Sequence, residues 1–363
     1  MKGLYIHIPF CSSICSYCDF PKMVGSKVNQ EIYINKLIEE INSKRELLSS
    51  ITSVYFGGGT PNSIENNLLE KLFISIRDIL ANSIENIIEC NPELLSLEQI
   101  KLFKKYNINR VSLGVETTNE EAIQLINRHH NKKIIFDSIK LLANNGIYNI
   151  NTDLIIGIPN TSIDTVKEDL DFLLALPITH ISCYTLILEE RTLLSHQINN
   201  NIITPLDDDT VADMYLYSKD RIINSGFTHY EISNFAKPGF LSIHNMLYWN
   251  EEEYIGCGMG ASSFINNQRI TNYRTLKKYL DYRVEEVIDI DLEDRKKEIF
   301  LLGLRKIKGV NIKEFKDKYN EDPIIKYNLD KWIDNGFLIF EDNYIRISDD
   351  KLLLGNIIFE EFV

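Results

Sequence analysis

Positive charge is in deficit in this chain: 39 Lys and Arg stand against 52 Asp and Glu, a formal net charge of −13 over 363 residues. A surface of that sign repels phosphate backbones. No basic run longer than a few residues offers a local exception, so nucleic acid is not an expected partner. Long apolar runs are also missing, none approaching the roughly 18 residues of a membrane span. No signal or transit segment precedes the first strand-like residues at Leu4, so a cytoplasmic location is expected. Cysteine is scarce, at six residues, and nothing indicates the oxidising compartment in which six would be read as a disulfide set.

Three of those six crowd into one stretch. Cys11, Cys15 and Cys18 form C-x3-C-x2-C just after the β-like run Leu4–Ile8. Thiolate sulfur is a soft ligand suited to iron–sulfur clusters and zinc. A disulfide would use two of the three and leave one idle. A structural zinc site calls for four ligands, and His7, inside a strand, is poorly placed as the fourth. Three thiolates on a cluster leave one metal corner for a substrate or cofactor. The other cysteines, Cys90, Cys183 and Cys257, read as small buried hydrophobes.

Beyond this loop, strand-like and helix-like segments alternate. Strands are predicted at 53–56, 86–90, 110–116, 150–156 and 180–188, with helices at 29–49, 64–81, 97–106, 119–127, 131–145, 162–176 and 207–225. Such alternation implies a parallel sheet, either a β/α barrel or a doubly wound open sheet; pattern alone leaves the two close to even. An acidic run, 285–294, reads as a boundary. After it come helices at 292–306, 311–319 and 323–335, then a hairpin pairing 337–340 with 344–347. Three helices and a hairpin resemble a winged-helix module. With seven Lys and Arg against twelve Asp and Glu over 309–363, it lacks the cations that DNA affinity requires. The expected domains are 1–225, 226–290 and 291–363.

Polar residues gather at predicted strand ends. Gly57-Gly58-Gly59-Thr60-Pro61 closes the second strand, and glycines there let backbone approach a ligand closely. Glu89 ends the third strand, Glu116 the fourth, and Asp153 lies on the fifth.

The Cys11–Cys18 loop, with Tyr17 before its last cysteine, and the GGGTP stretch resemble radical S-adenosylmethionine (SAM) proteins of the oxygen-independent coproporphyrinogen III oxidase-like branch. That resemblance implies an α/β fold: a partial (β/α)6 barrel with a small C-terminal α+β, winged-helix-like module. It implies a [4Fe–4S] cluster on Cys11, Cys15 and Cys18, with SAM on the open iron, and a reduced cluster that injects an electron into the sulfonium to give a 5′-deoxyadenosyl radical. It carries SAM contacts to Gly59 and Thr60 (amino group), Tyr5 (cluster end), Tyr17 (adenine), Glu89, Arg128 (carboxylate) and Asp153 (ribose), with Ile187 and Phe264 lining the adenosine pocket. Glu116 stands where the branch usually has Gln.

Within the branch, Asp19-Phe20 after the third cysteine and the ten residues before Cys11 favour the heme-chaperone members over the decarboxylating oxidase. So does His244-Asn245-Met246-Leu247-Tyr248-Trp249, an H-N-x-x-Y-W match in which the histidine is the implied heme ligand. The expected function is therefore heme binding and delivery, with heme-acceptor proteins and an electron donor as partners and room for a homodimer. The alternative is radical decarboxylation of coproporphyrinogen III.

Overall fold

A computed structural model describes residues 1–363. Six parallel strands form its centre: β1 (Lys2–Ile8), β2 (Ser53–Gly58), β3 (Glu85–Cys90), β4 (Arg110–Glu116), β5 (Asn149–Ile156) and β6 (His180–Thr185). They lie side by side in sequence order. A doubly wound sheet would reverse its strand order midway; this one never does, so it curls as a partial barrel with helices outside.

The chain alternates along each strand. On β1, Leu4, Ile6 and Ile8 are wholly buried against the helices, in a core of 54 residues that includes Tyr33, Ile34, Leu37 and Ile41 of the helix Lys27–Ser43. The other face of the strands carries Tyr5, His7, Ser53, Tyr55, Glu85, Glu89, Ser112, Asn151, Asp153 and Ser182. An ordinary eight-stranded barrel fills its interior with Val, Ile and Leu. Here the interior is polar, and hydrogen bonds rather than apolar packing join its walls.

Both sheet edges are extended. Beyond β6 lie β8 (Asn234–Ala236) and β7 (Thr228–Glu231), both antiparallel to their neighbours. Beyond β1 lies β9 (Glu253–Cys257), parallel to it, then β10 (Ser262–Ile265), β11 (Gln268–Asn272) and β12 (Val284–Asp289), which meander antiparallel. Glu40, fully buried on the first helix, ties this extension down. It accepts from Gly258 N at 2.8 Å, Asn272 Nδ2 at 2.9 Å, Tyr279 Oη at 2.7 Å and Lys44 Nζ at 2.8 Å.

The acidic run 285–294 holds most of an exposed edge strand, Val284–Asp289, and the start of the helix Leu292–Gly303. Its acidic side chains keep that edge from recruiting another strand. The helix 323–335 is two short pieces, Pro323–Lys326 and Asp330–Asp334, interrupted where Asn328 takes φ 51°. The C-terminal module builds its own 14-residue core around Phe300, Phe315 and Ile345. Its sheet runs β13 (Val310–Asn311), β15 (Tyr344–Ile347), β14 (Leu338–Glu341). Asp342 and Asn343, at φ 49° and 68°, make the hairpin turn; two consecutive positive φ values match the right-handed strand twist. No helix is long and apolar enough to cross a membrane.

Candidate functional site

The cysteine loop has no regular structure of its own and is stitched to several barrel elements. Pro9 O accepts from Met23 N at 2.7 Å and Cys11 N donates to Met23 O at 3.0 Å, closing the loop's base. Ser16 N donates to Ile126 O at 3.1 Å and Ser16 Oγ to Leu125 O at 2.9 Å, while Leu194 N donates to Ser16 O at 2.8 Å. The loop therefore spans from the end of β1 to the segments that follow β4 and β6, at the C-terminal ends of the parallel strands.

The glycine stretch anchors the same loop. Gly59 N donates to Ile8 O at 2.8 Å and Thr60 N to Phe10 O at 2.7 Å. A Cβ on Gly59 would stand 2.7 Å from the Pro9 carbonyl carbon, so no larger residue fits between the second strand and the start of the cysteine loop. Thr60 Oγ1 also donates to Cys11 Sγ at 3.5 Å, and Arg128 Nη1 lies 3.9 Å from Cys15 Sγ.

All three thiols are half-buried and none is in a disulfide. Burial pushes Cys15 up to about 11 and raises Cys11 and Cys18 as well. The structure does not draw three metal-ligating side chains onto one point. The donor chemistry nevertheless suits a soft metal cluster: three unpaired thiols within one short loop, needing a metal's positive charge to ionise them.

Beneath the loop stand three carboxylates. Glu89 accepts from Tyr55 Oη at 2.7 Å and from Gly58 N at 3.0 Å. Asp153 accepts from Ser112 Oγ at 3.1 Å and Asn151 Nδ2 at 2.8 Å. Glu116 sits at a bulge of β4 with φ 56° and accepts from Tyr17 Oη at 2.9 Å. Arg128 closes this side, with Nη2 3.5 Å from Glu116 Oε2 and Nη1 donating to Asn91 Oδ1 at 2.8 Å.

Burial, reinforced by Asp153, pushes the Glu89 carboxyl up to about 7; burial and then Glu116 push Asp153 up to about 6. Three mutually repelling carboxylates beside one guanidinium suit a ligand that brings positive charge and amino donors together with a carboxylate, as SAM does. Arg128 Nε and Glu116 Oε2 are buried and without hydrogen-bond partners, which leaves a donor and an acceptor for such a ligand. The Gln usual at position 116 could accept from Tyr17 as Glu does, but would not form the charged pair with Arg128.

These carboxyls set a pH dependence with a definite sign. Between the ordinary carboxylate range and about 7, folded Glu89 holds a proton that the unfolded chain has released. Its stabilising contribution is present at low pH and falls as pH rises through about 7. Asp153, Glu116, Tyr5 and Tyr55 are the titratable groups acting on it or bonded to it, and Asp153 acts with the same sign. Glu89→Gln is expected to flatten the pH dependence of urea-unfolding stability in the ligand-free protein between about pH 5 and 7, by up to about 1.4 kcal/mol per pH unit. An unchanged slope would place the proton elsewhere.

The other expected site residues divide. Tyr5 joins the ring: its hydroxyl lies 3.0 Å from His7 Nδ1, and its ring centroid 6.0 Å from that of Tyr55. His7 Nε2 lies 2.7 Å from Pro21 O, so Nε2 carries the proton and Nδ1 accepts from Tyr5. Ile187 stands two residues past β6 on the rim, 69 % exposed.

Phe264 does not reach the ring. Strand β10 runs back antiparallel to β9, so Phe264 pairs with Tyr254, which is level with Gly3 at the opposite end of β1. There its ring lies 4.5 Å from the Arg295 guanidinium.

His244 lies apart from this ring. It is 1 % exposed at the barrel floor, with Nδ1 2.7 Å from Ser53 Oγ and Nε2 3.0 Å from Tyr248 Oη. A neutral imidazole donates from one nitrogen and accepts at the other. Both nitrogens are thus engaged, and burial pulls the imidazolium pKa down to about 3.

Residues that motif reading passed over are Tyr55, Asn91, Ser112, Asn151 and Ser182. Their signal was available in part: Tyr55, Ser112, Asn151 and Ser182 occupy alternate positions on strands whose intervening residues are apolar.

Comparison with known proteins agrees with this geometry. Residues 5–173 match the Radical SAM superfamily model and residues 290–354 the HemN C-terminal domain model. The heme chaperone HemW of Lactococcus lactis is 36% identical, covering 100% of this chain and 97% of its own length. That of Bacillus subtilis is 33% identical, covering 100% and 99%. The coproporphyrinogen III oxidase HemN of Escherichia coli, a radical SAM enzyme, superimposes with a TM-score of 0.86 over 99% of this chain and 89% of its own, at 20% identity, and so shares the fold. With full-length relatives above 30% identity on both counts of coverage, this chain belongs to the HemW family of radical SAM proteins.

Proposed function

We propose that this protein is a heme chaperone: it binds a [4Fe–4S] cluster, SAM and heme, and passes heme to acceptor proteins. The observation that carries the radical SAM part is the convergence of the cysteine loop, the glycine stretch, Arg128 and the three carboxylates at one end of the barrel. Cys11, Cys15 and Cys18 would hold the cluster. Gly59, Thr60, Glu89, Glu116, Arg128 and Asp153 would surround SAM, with Tyr5, Tyr17 and Ile187 at its borders. When bound, the cluster supplies one-electron reducing power to the sulfonium. The protein's part is to position SAM and to exclude water beneath the stitched loop. His244, of the H-N-x-x-Y-W stretch, is the heme ligand on this reading.

On this reading the protein works in the cytoplasm with a partner reductant and heme-acceptor proteins, alone or as a homodimer. Residues 1–225 serve the cluster and SAM, 226–290 join that part to the remainder, and 291–363 form the accessory module. The fold shared with the oxidase motivates one alternative, decarboxylation of coproporphyrinogen III.

Anaerobic reconstitution followed by EPR with and without SAM, then hemin titration, tests the proposal. A SAM-dependent change in the cluster signal and saturable hemin binding are expected. Turnover of coproporphyrinogen III to protoporphyrinogen would replace the chaperone reading with the enzyme.

A further inference from the structure

Glu116 is held in a conformation that its surroundings impose. It closes β4 at a point where the pairing with β5 slips, Gly114 standing opposite Asp153 but Glu116 opposite Leu154. Its φ of 56° is one that residues with a Cβ seldom adopt, and such strain persists only where neighbouring structure fixes it. The turn beyond does so. Thr117 Oγ1 and Thr118 N donate to Asp169, on the helix Ile163–Leu174, at 2.8 and 2.7 Å. Thr117 N donates to Val115 O at 2.6 Å, and His130 Nε2 lies 3.4 Å from Thr117 O. The result is one carboxyl, 7 % exposed, set among the groups of the ring.

A structural ion pair does not account for this placement. Arg110 and Glu85, at the barrel floor, meet at 3.1 Å, and the second oxygen of Glu85 accepts from His244 N. Glu116 and Arg128 stand 3.5 Å apart instead, and Glu116 Oε2 and Arg128 Nε are both buried without hydrogen-bond partners. The guanidinium is turned to Asn91 Oδ1 and Gly114 O. Glu93 adds a further carboxyl, its Oε2 also unpartnered and 4.0 Å from His130 Nδ1. Burial pulls His130 down to about 4, so its imidazole brings no charge near pH 7. Burial raises the Glu116 carboxyl, and Arg128 and then Tyr17 oppose that rise. Glu89, Glu93, Glu116 and Asp153 thus stand near one guanidinium. A buried carboxylate left half-paired in such a ring is stabilised by a cation that arrives with the ligand.

We propose that Glu116 is a specificity-determining residue of this site: its charge selects the sulfonium ligand SAM over the uncharged thioether S-adenosylhomocysteine. The inference rests on the SAM-binding part of the proposed function. The two ligands share their adenosine, amino and carboxylate groups and differ by one methyl group and one positive charge. What Arg128 and the cluster contribute through the amino-acid end therefore acts on both alike, and the ratio of their affinities isolates the response to the sulfonium charge. Glu116→Gln keeps the size of the side chain and the acceptor for Tyr17 while removing the negative charge.

The test is calorimetric titration of SAM and of S-adenosylhomocysteine into the anaerobically reconstituted full chain, without reductant so that SAM is not consumed. Wild type and Glu116→Gln are compared at matched iron content. Wild type is expected to favour SAM, and Glu116→Gln to narrow that preference by at least about fivefold, as loss of one buried charge near another implies. Sinefungin, which carries an ammonium group where SAM has its methylsulfonium, supplies a second measurement on the wild type alone. It should bind more tightly than S-adenosylhomocysteine. A SAM preference in Glu116→Gln within about twofold of wild type, or sinefungin binding no tighter than S-adenosylhomocysteine, would overturn the role of Glu116 and leave SAM binding standing. Failure of the wild type to bind SAM at all would overturn both.

Discussion

Replacing Cys15 with alanine is expected to abolish reconstitution of the iron–sulfur cluster while leaving the polypeptide folded. Cys15 is the middle cysteine of the loop and the one whose sulfur faces Arg128. Alanine leaves two thiols, too few to hold a cluster against competing thiols in solution. The loop itself is held by main-chain bonds that do not involve the Cys15 side chain: Cys11 N to Met23 O, Ser16 N to Ile126 O and Leu194 N to Ser16 O. Its shape should therefore survive. The variant should lose essentially all reconstituted iron and sulfide and the broad sulfur-to-iron absorbance, with little change in thermal unfolding of the metal-free protein. Cys183→Ala, buried on β6 away from the loop, should retain full iron. Wild-type iron content in Cys15→Ala would remove this loop as the cluster site.

The second large effect belongs to the barrel floor. Arg110 and Glu85 face each other at 3.1 Å with side chains 3 % and 5 % exposed. Arg110 Nη1 also donates to Phe240 O at 3.0 Å, and Glu85 accepts from His244 N at 3.0 Å, so the pair pins the helix Ile243–Trp249 beneath the barrel. Arg110→Met leaves a buried carboxylate uncompensated and is expected to cost about 3–5 kcal/mol in urea unfolding. Burial already raises the Glu85 carboxyl, and Arg110 is the first influence opposing that rise. Without Arg110 the group titrates higher still, so the penalty should shrink at acid pH, where Glu85 is protonated in both states, and grow as pH rises. Arg110→Met/Glu85→Gln should recover a substantial part of the loss. A single-variant cost below about 1 kcal/mol would mean that water reaches the pair.

The same floor fixes where His244 lies, which its motif does not show. Its partner Ser53 is 191 residues away, on β2, and nothing local to either residue announces the contact. Phe264 fails for a related reason. One reversal of chain direction between β9 and β10 returns it to the far end of the sheet, and a sequence read in one dimension does not show which end a strand comes back to. The edge strand Val284–Asp289 shows in the sequence only as an acidic run, because charge hides strand character. Its register with Gln268–Asn272, not its composition, makes it a strand.

What the sequence determined by itself was local: the cysteine spacing, the alternation that makes β1 to β6 strands with one apolar face, the glycine stretch that only close backbone approach explains, and the polar residues at strand ends. Each follows from residue type and a short period along the chain. The tertiary structure decided what depends on register and on strand order. It placed Tyr17 against Glu116 across 99 residues, made the barrel interior a hydrogen-bonded polar chamber, and set His244 against Ser53 across 191. The physical reason is common to all three. A polar side chain chooses its partner by the geometry of strands brought together by core packing, and that packing fixes distances which the order of residues along the chain leaves open.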